Sequence, residues 1–238
     1  MKKSTLILNI SVGFSTVLLL SVNGCGSAVA KTVSGDGSFS LLPSGSLLDD
    51  DGKALSIKDP TNVTVNIGAG AVVSSSDDGI HGGDAPSGTV SITNSGTIES
   101  TAGGQGIDLN DFVGPGGTST ITNNTGGLIK ADDADGIRPG VNATVVNAGT
   151  IYADGATGDS HDGVDFQEAP TGTVINETGG LISGKRHGIT TDGYVDVYNA
   201  AGATIIGRNG SGVGSDGTGK VVNYGTIIGG YDGAGTGE

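Results

Sequence analysis

The sequence predicts an all-β protein, a right-handed parallel β-helix (β-solenoid) of about seven coils with 23–29 residues per coil. The first observation is a phrase that returns six times. It reads ITNSGTI at 92–98, ITNNTGGLI at 121–129, VVNAGTI at 145–151, VINETGGLI at 174–182, VYNAAGATI at 197–205 and VVNYGTI at 221–227. The second is the period-two alternation of Val, Ile and Thr inside each phrase, which belongs to strands. The third is composition. Gly supplies 47 of 238 residues, aromatics make up 4 % and Trp is absent, so the interior is narrow and not one conventional core.

Taken in chain order, residues 1–30 read as a signal peptide for the Sec route. Lys2 and Lys3 precede an apolar stretch from Leu6 to Val22, and Ala28-Val29-Ala30 supplies a small-x-small cleavage site. The stretch is short for a membrane span. Cys25 is the only cysteine. Either it leaves with the signal, or Val22-Asn23-Gly24-Cys25 is a lipobox and Cys25 anchors the chain as a lipoprotein. Residues 31–60 lack the repeat phrase and carry Leu41, Leu42, Leu47 and Leu48 beside Asp49-Asp50-Asp51. They are expected to form an N-terminal capping segment. Residues 61–238 are the repeats, beginning with VNIGAGAVV at 65–73, where Ile67 takes the Asn position.

The repeated asparagines are Asn94, Asn123, Asn147, Asn176, Asn199 and Asn223, spaced by 29, 24, 29, 23 and 24 residues. Between copies stands a second phrase, Gly before an aliphatic: Gly79-Ile80, Gly106-Ile107, Gly136-Ile137, Gly163-Val164, Gly188-Ile189 and Gly212-Val213. Coils stacked about 4.8 Å apart would place like residues over like. Three aliphatic stacks follow, one from the Ile that closes each first phrase, one from the residue two before each Asn, and one from the residue after each Gly. Each buried side chain is worth roughly 1.5–3 kcal/mol. The Asn stack is expected at a turn, in left-handed conformation and bonded to the next coil. Gly96, Gly126, Gly149, Gly179, Gly202 and Gly225 are expected to share one tight bend. Right-handedness follows from the usual hand of parallel crossovers.

Several classes are excluded. No strict three-residue Gly period exists, so the chain is not collagen-like. With 34 % apolar residues in ordered positions, it is not a solvated coil. Eleven basic against 25 acidic residues, a net charge of −14, exclude a nucleic-acid partner, which needs a basic stripe. A leucine-rich repeat would need a Leu framework, and the nonapeptide calcium roll is echoed once, at 210–216.

The phrases V-x-I-x-N-x-G-x-I and D-G-I resemble the passenger repeats of bacterial autotransporters, from about Asn62 to the end. That resemblance implies a right-handed β-helix carried to the outer membrane and displayed on the cell surface. It implies an adhesin or scaffold in virulence, with a host-surface or matrix glycan or protein as partner. The family ends in a membrane β-barrel, whereas this sequence closes on GAGTGE in mid-coil. A fragment, or a missing or separate C-terminal translocation barrel, is therefore expected, with an uncapped last coil able to self-associate.

No catalytic, cofactor-binding or metal residue is assigned as primary. The acidic alternative is Asp78, Asp135 and Asp162, each before the Gly of the second phrase. Carboxylates sharing a face could hold calcium, or act as the acid/base pair of an extracellular polysaccharide lyase or glycoside hydrolase. Against this, Asp-Gly is ordinary turn chemistry, and Gln105 interrupts the column. Lys185-Arg186-His187 is read as charge compensation at a solvated surface. Longer loops at 108–117 and 152–170 carry Phe112, Tyr152 and Phe166 and are the expected recognition elements. A regular Thr-x-Thr array of the ice-binding kind is not found by reading along the chain.

Overall fold

The computed structural model describes residues 17–20, 31–49, 52–83, 87–112, 116–155, 160–167 and 169–230. Cys25, the cleavage site, Asp50, Asp51 and the final residues from 231 lie outside them. Among the described residues all 24 elements are strands, in three parallel sheets. No helix there is long and apolar enough to cross a membrane.

Sheet I has nine strands: β1 (Val17–Leu20), β3 (Ser38–Leu41), β6 (Asn62–Ile67), β9 (Ser87–Asn94), β12 (Gly116–Asn123), β15 (Ala143–Asn147), β18 (Thr171–Asn176), β21 (Tyr194–Asn199) and β23 (Thr218–Asn223). Sheet II has eight: β4 (Ser46–Asp49), β7 (Val72–Ser75), β10 (Thr97–Ser100), β13 (Leu128–Ala131), β16 (Thr150–Ala153), β19 (Leu181–Gly184), β22 (Thr204–Gly207) and β24 (Thr226–Gly229). Sheet III has seven: β2 (Lys31–Gly35), β5 (Leu55–Pro60), β8 (Ile80–Gly82), β11 (Ile107–Asp108), β14 (Ile137–Arg138), β17 (Val164–Asp165) and β20 (Ile189–Thr190). Each coil visits sheets I, II and III in turn, giving a parallel β-solenoid of about seven coils.

The three aliphatic stacks form as expected. Ile98, Ile129, Ile151, Ile182, Ile205 and Ile227 pair in register through sheet II. Ile92, Ile121, Val145, Val174, Val197 and Val221 do so through sheet I. Ile80, Ile107, Ile137, Val164, Ile189 and Val213 complete sheet III. Residues 31–60 supply a strand or more to every sheet, and Phe39, Leu47 and Leu55 extend the stacks downward. The segment read as a cap thus takes the form of a coil. Val17–Leu20, inside the expected signal, pairs with β3.

The asparagines differ from expectation in one respect. They close the strands of sheet I, and none is among the residues of positive φ. Five of the six are fully buried. In each of these five, Nδ2 donates to the Oδ1 of the next coil's Asn at 2.8–2.9 Å and to a next-coil carbonyl, such as Leu128 O at 3.1 Å from Asn94. The ladder is an internal hydrogen-bond column that turns the chain from sheet I into sheet II, not a left-handed bend.

At the corner that follows each of these asparagines, left-handed backbone occurs only in the longer turns. Gly126, Gly179 and Gly202 have φ of 81°, 86° and 79° at the third position of four-residue turns such as Asn124–Gly127, where Gly127 N donates to Asn124 O at 2.8 Å. That is the type II pattern. Gly96, Gly149 and Gly225 sit in two-residue turns without positive φ. They pack where a Cβ would strike a carbonyl of the coil beneath, Gly149 at 2.3 Å from Gly127 O. The single glycine column expected from sequence is therefore two, with different physical causes.

The expected recognition loops also differ. Phe112 and Phe166 are buried in the core, and the Phe166 ring occupies space that a side chain at Gly172 would fill. Tyr152 lies under the Arg208 guanidinium, 4.5 Å from ring centroid to Cζ. The extra length anchors the loops and does not present aromatics.

Candidate functional site

Two faces concentrate polar chemistry. The first is the bend into sheet III, where register stacks Asp78, Gln105, Asp135, Asp162, His187 and Ser211, each before the Gly of the second phrase. Their side chains cap the next coil. Asp78 Oδ1 accepts from Gln105 N at 2.9 Å, Asp135 Oδ1 from Asp162 N at 2.7 Å, and Asp162 Oδ1 from His187 N at 2.8 Å. His187 Nδ1 accepts from Ser211 N at 2.8 Å, which leaves Nε2 to carry the ring hydrogen. Gln105 satisfies both neighbours when its nitrogen faces Asp78 Oδ1 (2.9 Å) and its oxygen faces Arg138 Nη1 (3.2 Å).

The second carboxylate oxygen of each Asp meets a cation. Asp78 Oδ2 lies 2.9 Å from His81 Nδ1 and 3.7 Å from Lys53 Nζ. Asp135 Oδ2 accepts from Arg138 Nε at 2.8 Å, and Asp162 Oδ2 from Arg186 Nη2 at 3.0 Å. In the coil of Asp162 the position three residues on is Asp165, not a base, so the cation comes from the following coil. Asp162 and His187 are buried, so the basic cluster read as solvated surface is a built part of this column.

Structure thus separates the acidic trio. Asp135 and Asp162 meet Asp165, while Asp78 meets His81 and Asp108; within each group the ligand atoms lie within 4.8 Å of one another. Asp165 borders a cleft of about 340 Å³ with Gln167, Arg186, His187, Asp192 and Asp216. The residues that could hold calcium are Asp135, Asp162 and Asp165. Their donor set fits a calcium ion poorly: it takes six to eight oxygens, and these carboxylates already accept from peptide N–H groups, Arg138, Arg186 and Gln167.

Burial pushes the carboxyls of Asp108, Asp135, Asp162 and Asp165 above the ordinary aspartate value. Nearby carboxylates push further, and peptide N–H groups and arginines pull back. The folded state therefore holds these protons more tightly than the unfolded chain. The stability they contribute is complete below the ordinary aspartate pKa and is lost as pH rises through the raised values. Thermal melting is expected to shift upward as pH falls from 7 toward about 4. Asp165→Asn should flatten that profile and raise the neutral-pH melting temperature by roughly 2–4 °C, the scale of about 1 kcal/mol in a chain this long. A melting temperature that falls throughout this range would contradict the assignment.

The second face is the outside of sheet I, which reading along the chain did not reveal. Thr64, Ser91, Thr120, Thr144 and Thr173 form a continuous outward column. Thr89 and Thr118 flank it on one side, and Thr93 and Thr122 on the other. Thr89-x-Ser91-x-Thr93 lies over Thr118-x-Thr120-x-Thr122, so full hydroxyl triplets stand on two adjacent strands, while β6, β15 and β18 carry Asn62, Asn66, Val146 and Ile175 at flanking positions. Their signal was there: the residues alternate with the Val and Ile already assigned to the core. Beyond the array the face turns aromatic, with Tyr194, Tyr198 and Tyr224 exposed and the last two rings 5.9 Å apart.

No family model, no curated protein and no solved structure matches this chain.

Proposed function

We propose that the chain is the exported, non-catalytic scaffold of a surface protein, adhesin-like and of the autotransporter-passenger type. The observation that carries this reading is the use made of the acidic column. Asp78, Asp135 and Asp162 each spend one oxygen on the next coil's peptide N–H and the other on a cation. They are groups that hold coils together, and a general acid or base needs a carboxyl within reach of substrate. The basic, apolar N-terminus with its Ala28-Val29-Ala30 site supports Sec export; lipidation at Cys25 is the alternative anchor. A host-surface or matrix glycan or protein is the partner class, met through the outer sheet faces.

At the last described coil Val221 is 48 % and Tyr224 67 % exposed, and β23 and β24 have a free edge among the described strands. That edge is a place for self-association or for a translocation barrel to engage.

Display is tested by labelling intact cells with a membrane-impermeant amine reagent, which should modify exposed Lys220. Labelling only after lysis would overturn it. The competing reading, a polysaccharide lyase or glycoside hydrolase, draws on the cleft beside Asp165 and its raised carboxyls. Incubation with acidic polysaccharides, with and without calcium, should release neither unsaturated nor reducing ends. Release of either makes the chain an enzyme.

A further inference from the structure

We infer that the outer face of sheet I binds ice, through a two-dimensional hydroxyl array centred on Thr120. The inference rests on the scaffold reading and goes beyond it, giving the outer face of sheet I an occupant other than the host partner. Three features select this occupant. The first is the lattice. Register is unbroken from β6 to β18, so the central column repeats hydroxyls about every 4.8 Å across five strands, and on β9 and β12 they also repeat about every 6.6 Å along the strand. These two repeats are close to oxygen spacings on faces of hexagonal ice. Ladder-stacked coils are the setting in which a sheet stays flat enough to hold such a lattice.

The second is charge. The chain carries a net −14, yet the outward positions from β3 to β18 hold Ser, Thr, Asn, Val, Ile and Gly and no ionisable side chain. A solvated sheet face of a soluble protein ordinarily mixes both signs. An uncharged face complements an uncharged lattice, and Asp196 and Lys220 enter only beyond it. The third is side-chain stiffness. Thr has a restricted χ1 and offers one methyl and one hydroxyl, so the array is ordered before binding and loses little freedom on contact. Sugar stacking is poorly served, because aromatic rings appear on the outer face only from Tyr194 onward, Phe39 being buried on the inner side.

The test uses the purified full chain, ice-crystal shaping and inhibition of ice recrystallisation. Wild type should shape crystals. Thr120→Lys should abolish shaping while its melting temperature stays that of wild type, and Lys220→Ala, on the same face outside the array, should keep it. Should Thr120→Lys fail to fold, Thr93→Tyr, a strand-forming but bulky replacement, should give the same loss. Unshaped crystals with wild type, or full activity in the folded array variants, would overturn the proposal. So would array-dependent retention on insoluble cellulose or chitin without ice activity, which would assign the lattice to a neutral glycan. Because this assay uses purified protein and the labelling assay uses intact cells, failure of one is distinct from failure of the other.

Discussion

Replacing Asn147 by aspartate is expected to destabilise the chain by about 3 kcal/mol or more at neutral pH, near the scale for an uncompensated buried charge. Asn147 is fully buried. Its Nδ2 donates to Asn176 Oδ1 at 2.8 Å and Leu181 O at 3.1 Å, and its Oδ1 accepts from Asn123 Nδ2 at 2.9 Å. Aspartate has nearly the same shape but only acceptors when ionised, so it would face two acceptors inside the core. Asn147→Ala removes the charge problem and still orphans the buried acceptor on Asn176, at about 1–3 kcal/mol, while Asn123 Nδ2 keeps Thr150 O and Gly127 O. Asn223→Ala is the control. Its amide is exposed on the last described coil, water can replace what is lost, and the cost should stay under about 1 kcal/mol. Equal losses at 147 and 223 in chemical denaturation would show that the ladder is not a buried network.

The second large effect concerns the glycines of sheet III. A Cβ at Gly136 would lie 2.6 Å from Gly163 O and 3.0 Å from Ile151 Cγ2. Gly163 O is the acceptor for Ile137 N at 3.1 Å, so Gly136→Ala must push coils apart where they hydrogen-bond. We expect a loss of about 2–4 kcal/mol, the range for backbone clashes and core overpacking. Gly126→Ala provides the contrast. Nothing lies within 4 Å of its Cβ; the only cost is the left-handed backbone at φ 81°, roughly 1–2 kcal/mol. Urea melts of the two variants, compared with wild type, check the order. A larger loss at Gly126 than at Gly136 would contradict the packing described.

How much of this was legible beforehand follows from what repetition can encode. A residue stacked on its own kind must recur at every coil, so the three aliphatic stacks and the asparagines stood out in the sequence. Turn conformation was less visible. Gly126 and Gly127 are adjacent and chemically identical, and only their surroundings, open space for one and Asn123 Oδ1 2.4 Å from a Cβ for the other, show which belongs to the packed column. Phe112 and Phe166 were misassigned because loop length does not reveal that a loop can fold inward, as Phe166 does where Gly172 leaves room. The acidic column was seen as residues but not as function, since its partners are peptide N–H groups, which every residue has. Its cation alternates between the third residue on, as at Arg138, and the next coil, as at Arg186, so no fixed spacing marks it. The hydroxyl array escaped for a related reason. Thr64, Ser91, Thr120 and Thr144 become neighbours only once the register is known.

The central claim is that coils stack in that register, and engineered cysteines test it most directly. In a chain carrying Cys25→Ser, Thr120→Cys and Thr144→Cys fall on paired positions of β12 and β15, within the roughly 4.4–6.8 Å Cα separation a disulfide requires. Thr120→Cys with Thr173→Cys lies two coils apart, about 10 Å. Mild oxidation of the native protein should close the first pair and leave the second as free thiols by mass spectrometry. Free thiols at 120 and 144, or equal closure of both pairs, would contradict the stacked solenoid.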